Sequence, residues 1–160
     1  MKVAVIDRQR ETRIDQDRLK GLVDYFMQRV ARIDSSLTWE AINVILADDA
    51  VIRSINARFL RQDYPTDVIA FTYAPVPGAE PGATGELVIN VELAQRVGHR
   101  YGGPERELAL YVAHGCDHLG GADDATPVER QRMRARECRW LRSCVVRNSI
   151  VGLIRRQDAR

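Results

Sequence analysis

Residues 111–124 read Y-V-A-H-G-C-D-H-L-G-G-A-D-D, and this stretch constrains the chain more than any other. It follows an apolar run, 108–113, that begins soon after Gly103-Pro104-Glu105. Proline at a first helical position with acids in the first turn predicts a helix start, and Gly120-Gly121 predicts its stop. His114 and His118 lie four apart, so both imidazoles project from one face of that helix. Asp123 and Asp124 follow the glycines, where the chain can fold back. Two helical His and a third N or O ligand beyond the helix end form the skeleton of an open zinc site, with the fourth position left for water. The chain has three His, and two of them are here. The apolar surroundings predict a buried or cleft-facing His114, where a polar group needs a partner. A zincin peptidase would read H-E-x-x-H with the Glu as general base, but Gly115 stands in that place. Metal binding is therefore expected and proteolysis is not. Cys116 lies two residues from each His, on the other side of the helix, and is not expected to be a ligand.

The run H-G-x-x-H-L-x-G-x-D, followed by a ligand-type residue, resembles the signature of the YbeY family of bacterial endoribonucleases of rRNA maturation. Members usually carry a third His at the position of Asp124; here the pattern is H-x3-H-x5-D. Asp is a legitimate zinc ligand. Asp123 matches the Asp of the motif and is the alternative third ligand. A second stretch, residues 56–71, is similar to the family's N-x-x-[YF]-R-x-x-D-x-P-T-[DN]-V-L-S-F, with Asn56, Phe59, Asp63, Pro65, Thr66, Asp67, Val68 and Phe71 in place. Leu60 stands where many members have an Arg that faces the substrate, so either Arg58 or Arg61 substitutes in binding phosphate or the transition-state charge is handled by the metal alone. Thr66 and Asp67 are read as turn and strand-start residues rather than catalytic ones. Met133 and Glu137 match an M-x-x-x-E spacing found after the site in the family. Among so many Arg, Glu137 is read as an intrahelical ion-pair partner.

The 160 residues suit one domain with a real core. By the resemblance, residues 1–145 form a YbeY-like metal-dependent hydrolase domain and 146–160 a basic C-terminal extension. Hydrophobic content of 45% and charged content of 29% read as soluble and globular. No apolar run approaches the ~20 residues of a membrane span, and the N-terminal apolar stretch is too short for a signal peptide. Cys116, Cys138 and Cys144 form no C-x-x-C pair and read as reduced thiols of a cytoplasmic protein. Net charge is +2, yet from Arg130 to the end ten Arg face only Glu137 and Asp158. That asymmetry points to a polyanion, RNA more readily than membrane.

Periodicity predicts a strand at 2–7, an amphipathic helix at 15–32 and a strand at 42–47. Asp48 or Asp49 would cap a helix carrying Ile52, Ile55 and Phe59 inward to about Leu60. A strand starts near Asp67, a Pro- and Gly-rich loop covers 74–84, and a strand covers 85–90. Asn90 would cap a helix running to about Tyr101, with His99 at its surface. Thr126 to Glu129, T-P-V-E, is a capping box that opens a last helix with Met133, Trp140, Leu141 and Cys144 inward. Strands alternating with helices indicate an α+β or α/β class. The resemblance narrows this to α+β: a small mixed four-stranded sheet packed with helices, with the metal site on a central helix, a zincin-like helix and loop.

What the resemblance implies is a single-strand-specific, metal-dependent endoribonuclease of rRNA maturation, acting at the 3′ end of small-subunit rRNA, and of ribosome quality control. His114, His118 and Asp124 would act through one zinc ion per chain, which lowers the pKa of a bound water toward about 7. Single-stranded RNA or rRNA, and the ribosome or ribosomal proteins, are the expected partners. Aromatics are 6% of the chain, so strong readout of base sequence is not expected. The alternative is a non-catalytic ribosome-assembly factor in which the zinc is structural.

Overall fold

The structure is a computed structural model that describes residues 1–10, 12–36, 38–74, 82–146 and 149–155. Four strands form one sheet in the order β1-β2-β4-β3, with β1 at Lys2–Asp7, β2 at Trp39–Ala47, β3 at Val68–Tyr73 and β4 at Ala83–Asn90. The β1/β2 and β2/β4 pairs are parallel, and β3 runs antiparallel to β4. Among the described residues there are five helices: α1 (Gln16–Ala31), α2 (Asp49–Leu60), α3 (Val91–Gly98), α4 (Pro104–Leu119) and α5 (Pro127–Val146). The class is mixed α+β, with the expected four-stranded mixed sheet.

Side chains alternate across a strand, so each sheet face collects its own core. Ile42, Val44 and Leu46 of β2 join Leu87 and Ile89 of β4 and Val68 of β3 under α1, α4 and α5. The intervening Ala47, Val88 and Ile69 meet Ile52 of α2 on the opposite face. One helix therefore covers the smaller face. The larger carries the helix with the histidines, and the burial of α4 explains its apolar composition: Leu108 to Ala113 are all buried.

Several local expectations are met. Asp48 and Asn90 cap α2 and α3 by accepting from Val51 N and Leu93 N, and Asp15, expected inside its helix, caps α1 in the same way from Arg18 N. Thr126 and Glu129 close a reciprocal capping box at the start of α5. Met133, Trp140, Leu141 and Cys144 are its buried stripe.

Others are corrected. Phe59, expected inward, is 58% exposed and meets Phe71 edge-on at the rim of the sheet. The inward position one turn earlier belongs to Asn56, whose amide donates to Tyr64 O at 2.8 Å and secures the turn into β3. Strand β2 starts three residues early, at Trp39, and β4 starts at Ala83 because Thr84 finds Tyr73 and Ala41 as cross-strand neighbours. Residues 75–81 of the expected loop lie outside the described residues. Helix α3 stops at Gly98 rather than near Tyr101, and the chain goes on in turns, with Arg100 N donating to Val97 O and Tyr101 N to Gly98 O. A Cβ at Gly98 would lie 2.5 Å from Pro104 Cα, so α3 and α4 pack at bare backbone.

Beyond α5 the chain returns to the body. Ile150 and Leu153 are buried in the main core, and Asp15 N donates to Leu153 O at 2.9 Å. The first-turn acid of α4, Glu105, accepts from Gly152 N and Ile154 N.

Candidate metal centre

The site is made where α4 ends. Gly120 N and Gly121 N donate to Cys116 O and His118 O, and Gly121 takes φ 83°, a conformation that suits glycine. Ala122 N then donates to Asp117 O, and the chain doubles back along the helix it has just left. This return sets Ala122 O 2.9 Å from His118 Nδ1 and brings Asp124 Oδ2 to 3.8 Å from His114 Nε2. Asp123 does not turn inward with it. Its Oδ1 accepts from Asp124 N and Ala125 N, so it shapes the bend. Arg130 holds the same bend from α5 by donating to Asp124 O and Ala125 O.

The two imidazoles meet through Nε2, 3.2 Å apart. His118 Nδ1 faces a carbonyl oxygen, which can only accept, so that nitrogen carries the proton. His114 Nδ1 lies 2.7 Å from Glu137 Oε1, and the same logic makes it a donor to a carboxylate. Neutral rings in these tautomers point two lone pairs at each other, with a carboxylate beside them. Such a contact calls for positive charge between the nitrogens. Tetrahedral zinc with Zn–N near 2.05 Å sets neighbouring nitrogens about 3.3 Å apart, close to the spacing seen. The ligand atoms of His114, His118 and Asp124 all lie within 4.8 Å of one another. The donor set therefore fits a divalent cation, and both rings already have the outer partners that fix a metal-binding imidazole.

The surrounding charge agrees. Burial works to lower the His114 pKa, but the Glu137 hydrogen bond and charge, with Asp67 and Asp124, outweigh it and raise the value. A field that favours a proton here favours a cation.

Glu137 is the main correction to the sequence reading. It is 2% exposed and bonds to His114, not to an Arg of its own helix. The nearby half-buried ion pair joins Asp117 to Arg136 at 2.8 Å and ties α4 to α5. Cys116 is fully buried, on the side away from the cluster, and burial pushes its thiol pKa well up. His99 is exposed at the end of α3. Gly115 sits against the sheet, where an added Cβ would come within 2.8 Å of Leu87 Cδ2 and 2.9 Å of Val68 Cγ2. A side chain there would have to push Leu87 and Val68 aside, so the packing of this helix disfavours the zincin glutamate.

A cleft of about 610 Å³ opens beside His114 and Asp124. Thr66 and Asp67 form part of its wall. They do serve the turn, as expected: Asp67 Oδ1 accepts from Thr66 Oγ1 and Val68 N. Buried Asn90 donates to Thr66 O and to Asp49, so the second motif is a hydrogen-bonded frame for that wall. Arg58 stacks over the Phe59 ring at 5.3 Å and Arg61 ends α2 in a left-handed conformation, φ 58°. Neither lines the cleft; Arg130 and Arg134 of α5 do. Sequence reasoning passed over Glu107, Tyr111 and this Arg pair. Glu107 seven residues and Tyr111 three residues before His114, on the same stripe, were the available signal.

Fold and cluster together define a mixed α+β domain that gathers two imidazoles and a carboxylate at one helix end. A family model described as Endoribonuclease YbeY matches residues 4–144. An endoribonuclease YbeY of Rhodopirellula baltica is 43% identical over 100 residues, covering 61% of this chain and 50% of that protein. One of Salinibacter ruber is 35% identical over 128 residues, with 76% and 80% covered. One of Pelotomaculum thermopropionicum is 32% identical over 142 residues, with 86% and 93% covered. The match spans half the length of the Rhodopirellula protein and most of the other two. A Thermotoga maritima protein solved in solution shares the fold, with a TM-score of 0.56 at 21% identity over 95% of this chain and 90% of that one. The chain belongs to the YbeY family. Among the described residues, no helix is long and apolar enough to cross a membrane.

Proposed function

We propose that this protein is a metal-dependent endoribonuclease that cuts single-stranded RNA in rRNA maturation, including the 3′ end of small-subunit rRNA, and in ribosome quality control. It works in the cytoplasm with the ribosome or ribosomal proteins as partners. The observation that carries the reading is the convergence of two Nε2 atoms while both Nδ1 atoms are held from outside. His114, His118 and Asp124 are the ligands, and zinc suits their nitrogen and oxygen donors, one ion per chain. When bound, the cation would supply Lewis acidity toward a phosphoryl oxygen and ease deprotonation of water near neutral pH.

The remaining work belongs to the chain. Glu137 and Ala122 O hold the two rings in one tautomer and one orientation. Arg130 and Arg134 present positive charge along the cleft, where phosphate contacts position a strand without reading its sequence. Arg58 and Arg61 contact only RNA that extends past the cleft. Helix α4 with its following turn is a zincin-like helix and loop that lacks the zincin base.

Leu60 in place of Arg favours the alternative, a non-catalytic assembly factor with a structural zinc. Three donors from the protein favour the catalytic reading, because structural zinc sites are closed by four. The test is cleavage of single-stranded and duplex RNA by protein stripped with a chelator and then reloaded with zinc. Cleavage of the single strand should disappear on stripping, return on loading, and be absent in His118→Ala with an unchanged circular dichroism spectrum. Cleavage that survives the chelator, or that His118→Ala retains, would contradict the proposal. No cleavage by any form, with a His118→Ala variant that unfolds, would establish the structural alternative.

A further inference from the structure

Glu107 has no part in the chemistry above, yet it is the least ordinary group in the cleft. It is 6% exposed, and its Oε2 is buried with no hydrogen-bond partner. The Tyr111 phenol lies one helical turn on in the same cleft wall, and its pKa is raised by burial and by the charges of Glu107 and Asp67. A buried carboxylate oxygen left unpaired is costly, and native structures rarely keep one unless something else satisfies it. Glu107 faces the cleft, beside an apolar recess walled by Leu93, Val97, Leu110 and Met133.

Position adds to chemistry. Glu107, Tyr111, His114 and His118 fall on one stripe of α4. Seven residues of helix separate Glu107 from His114, roughly 10 Å along the axis. A phosphate at the histidine cluster would thus place a neighbouring nucleoside, its base outward from the backbone, at the recess. The exposed Arg130 and Arg134 lie on the phosphate side of the cleft, while Glu107 lines the same cleft on the side of the base.

We infer that Glu107 and this recess form a nucleobase subsite that prefers bases bearing an exocyclic amino group over uracil. The inference rests on the single-stranded RNA reading above. A carboxylate only accepts, so it pairs with the amino N–H of adenine, cytosine or guanine. Uracil sets two carbonyl oxygens around its one N–H and turns negative charge toward the acid. Apolar walls suit the flat faces of any base, so Glu107 alone supplies the discrimination.

The experiment is fluorescence anisotropy of the zinc-loaded full chain with labelled 2′-O-methyl oligoadenylate, oligocytidylate and oligouridylate, checked on a gel to have stayed intact. The first two should bind about tenfold tighter than the third, the effect of one hydrogen bond to a charged group. Glu107→Gln, whose amide can donate as well as accept, should erase the difference while keeping the circular dichroism of the wild type. An oligomer of N6,N6-dimethyladenosine, which has lost the amino donors, should bind wild type as weakly as oligouridylate, and this arm needs no variant to fold. Equal binding of all oligomers by wild type, an undiminished preference in folded Glu107→Gln, or full affinity for the dimethylated oligomer would each overturn the subsite. Those results leave the nuclease reading intact, whereas absence of binding to every oligomer would remove the RNA reading and the subsite with it.

Discussion

Glu137→Ala is expected to weaken zinc binding about 100-fold, and Glu137→Gln about tenfold, in a competition titration against a zinc indicator. The carboxylate lies 2.7 Å from His114 Nδ1 and is almost completely buried. Gln keeps an oxygen that can accept the Nδ1 proton, so the ring stays oriented but loses the negative charge behind it. Ala removes both and leaves a ring N–H facing a void, at a cost of about 1–3 kcal/mol to the folded protein. Zinc affinity that stays at the wild-type level in both variants would show that His114 is held by something other than Glu137.

Gly115→Glu is expected to destabilise the protein by about 4 kcal/mol or more, a large share of the total stability of a domain this size. The substitution writes H-E-x-x-H into α4 and so looks, on paper, like the gain of a peptidase base. The position is wrong for it. An added Cβ would already approach Leu87 and Val68 to less than 3 Å, and the carboxylate beyond it would enter the sheet–helix core without a partner. Thermal or urea denaturation followed by circular dichroism would show this directly. A Gly115→Glu protein that melts like wild type would mean that α4 can rotate or lift from the sheet, and the packing described for it would be wrong.

The elements whose signals are local were legible in the sequence. The His spacing, the glycine stop and the returning acid placed His114, His118 and Asp124 in one cluster. The T-P-V-E box and the Asp48 and Asn90 caps worked for the same reason: each is a short-range hydrogen bond between residues three apart. Glu137 was misread because its partner lies 23 residues away on another helix. Helical periodicity reports which residues share a face, and it does not report what that face meets. An acid among arginines looked like an ion pair because its own helix was the only partner in view.

Phe59 shows the same limit from the apolar side. Its spacing from Ile52 and Ile55 is right for an inward stripe, but the sheet runs out beneath it and a buried asparagine takes over the packing. Residues 149–155 carry too little periodicity to predict a role, yet Leu153 is fully buried against elements more than 100 residues earlier in the chain. Gly115 is the clearest case. The sequence shows only that a base is missing, and the structure shows that a side chain there would have to displace Leu87 and Val68.

Metal binding at the α4 turn is tested most directly by isothermal titration of zinc into chelator-stripped protein, wild type beside His114→Ala and Asp124→Ala. One zinc per wild-type chain is expected, with no measurable binding in His114→Ala and a clearly weakened isotherm in Asp124→Ala. A stoichiometry of one that survives loss of His114 would put the ion elsewhere and contradict the account.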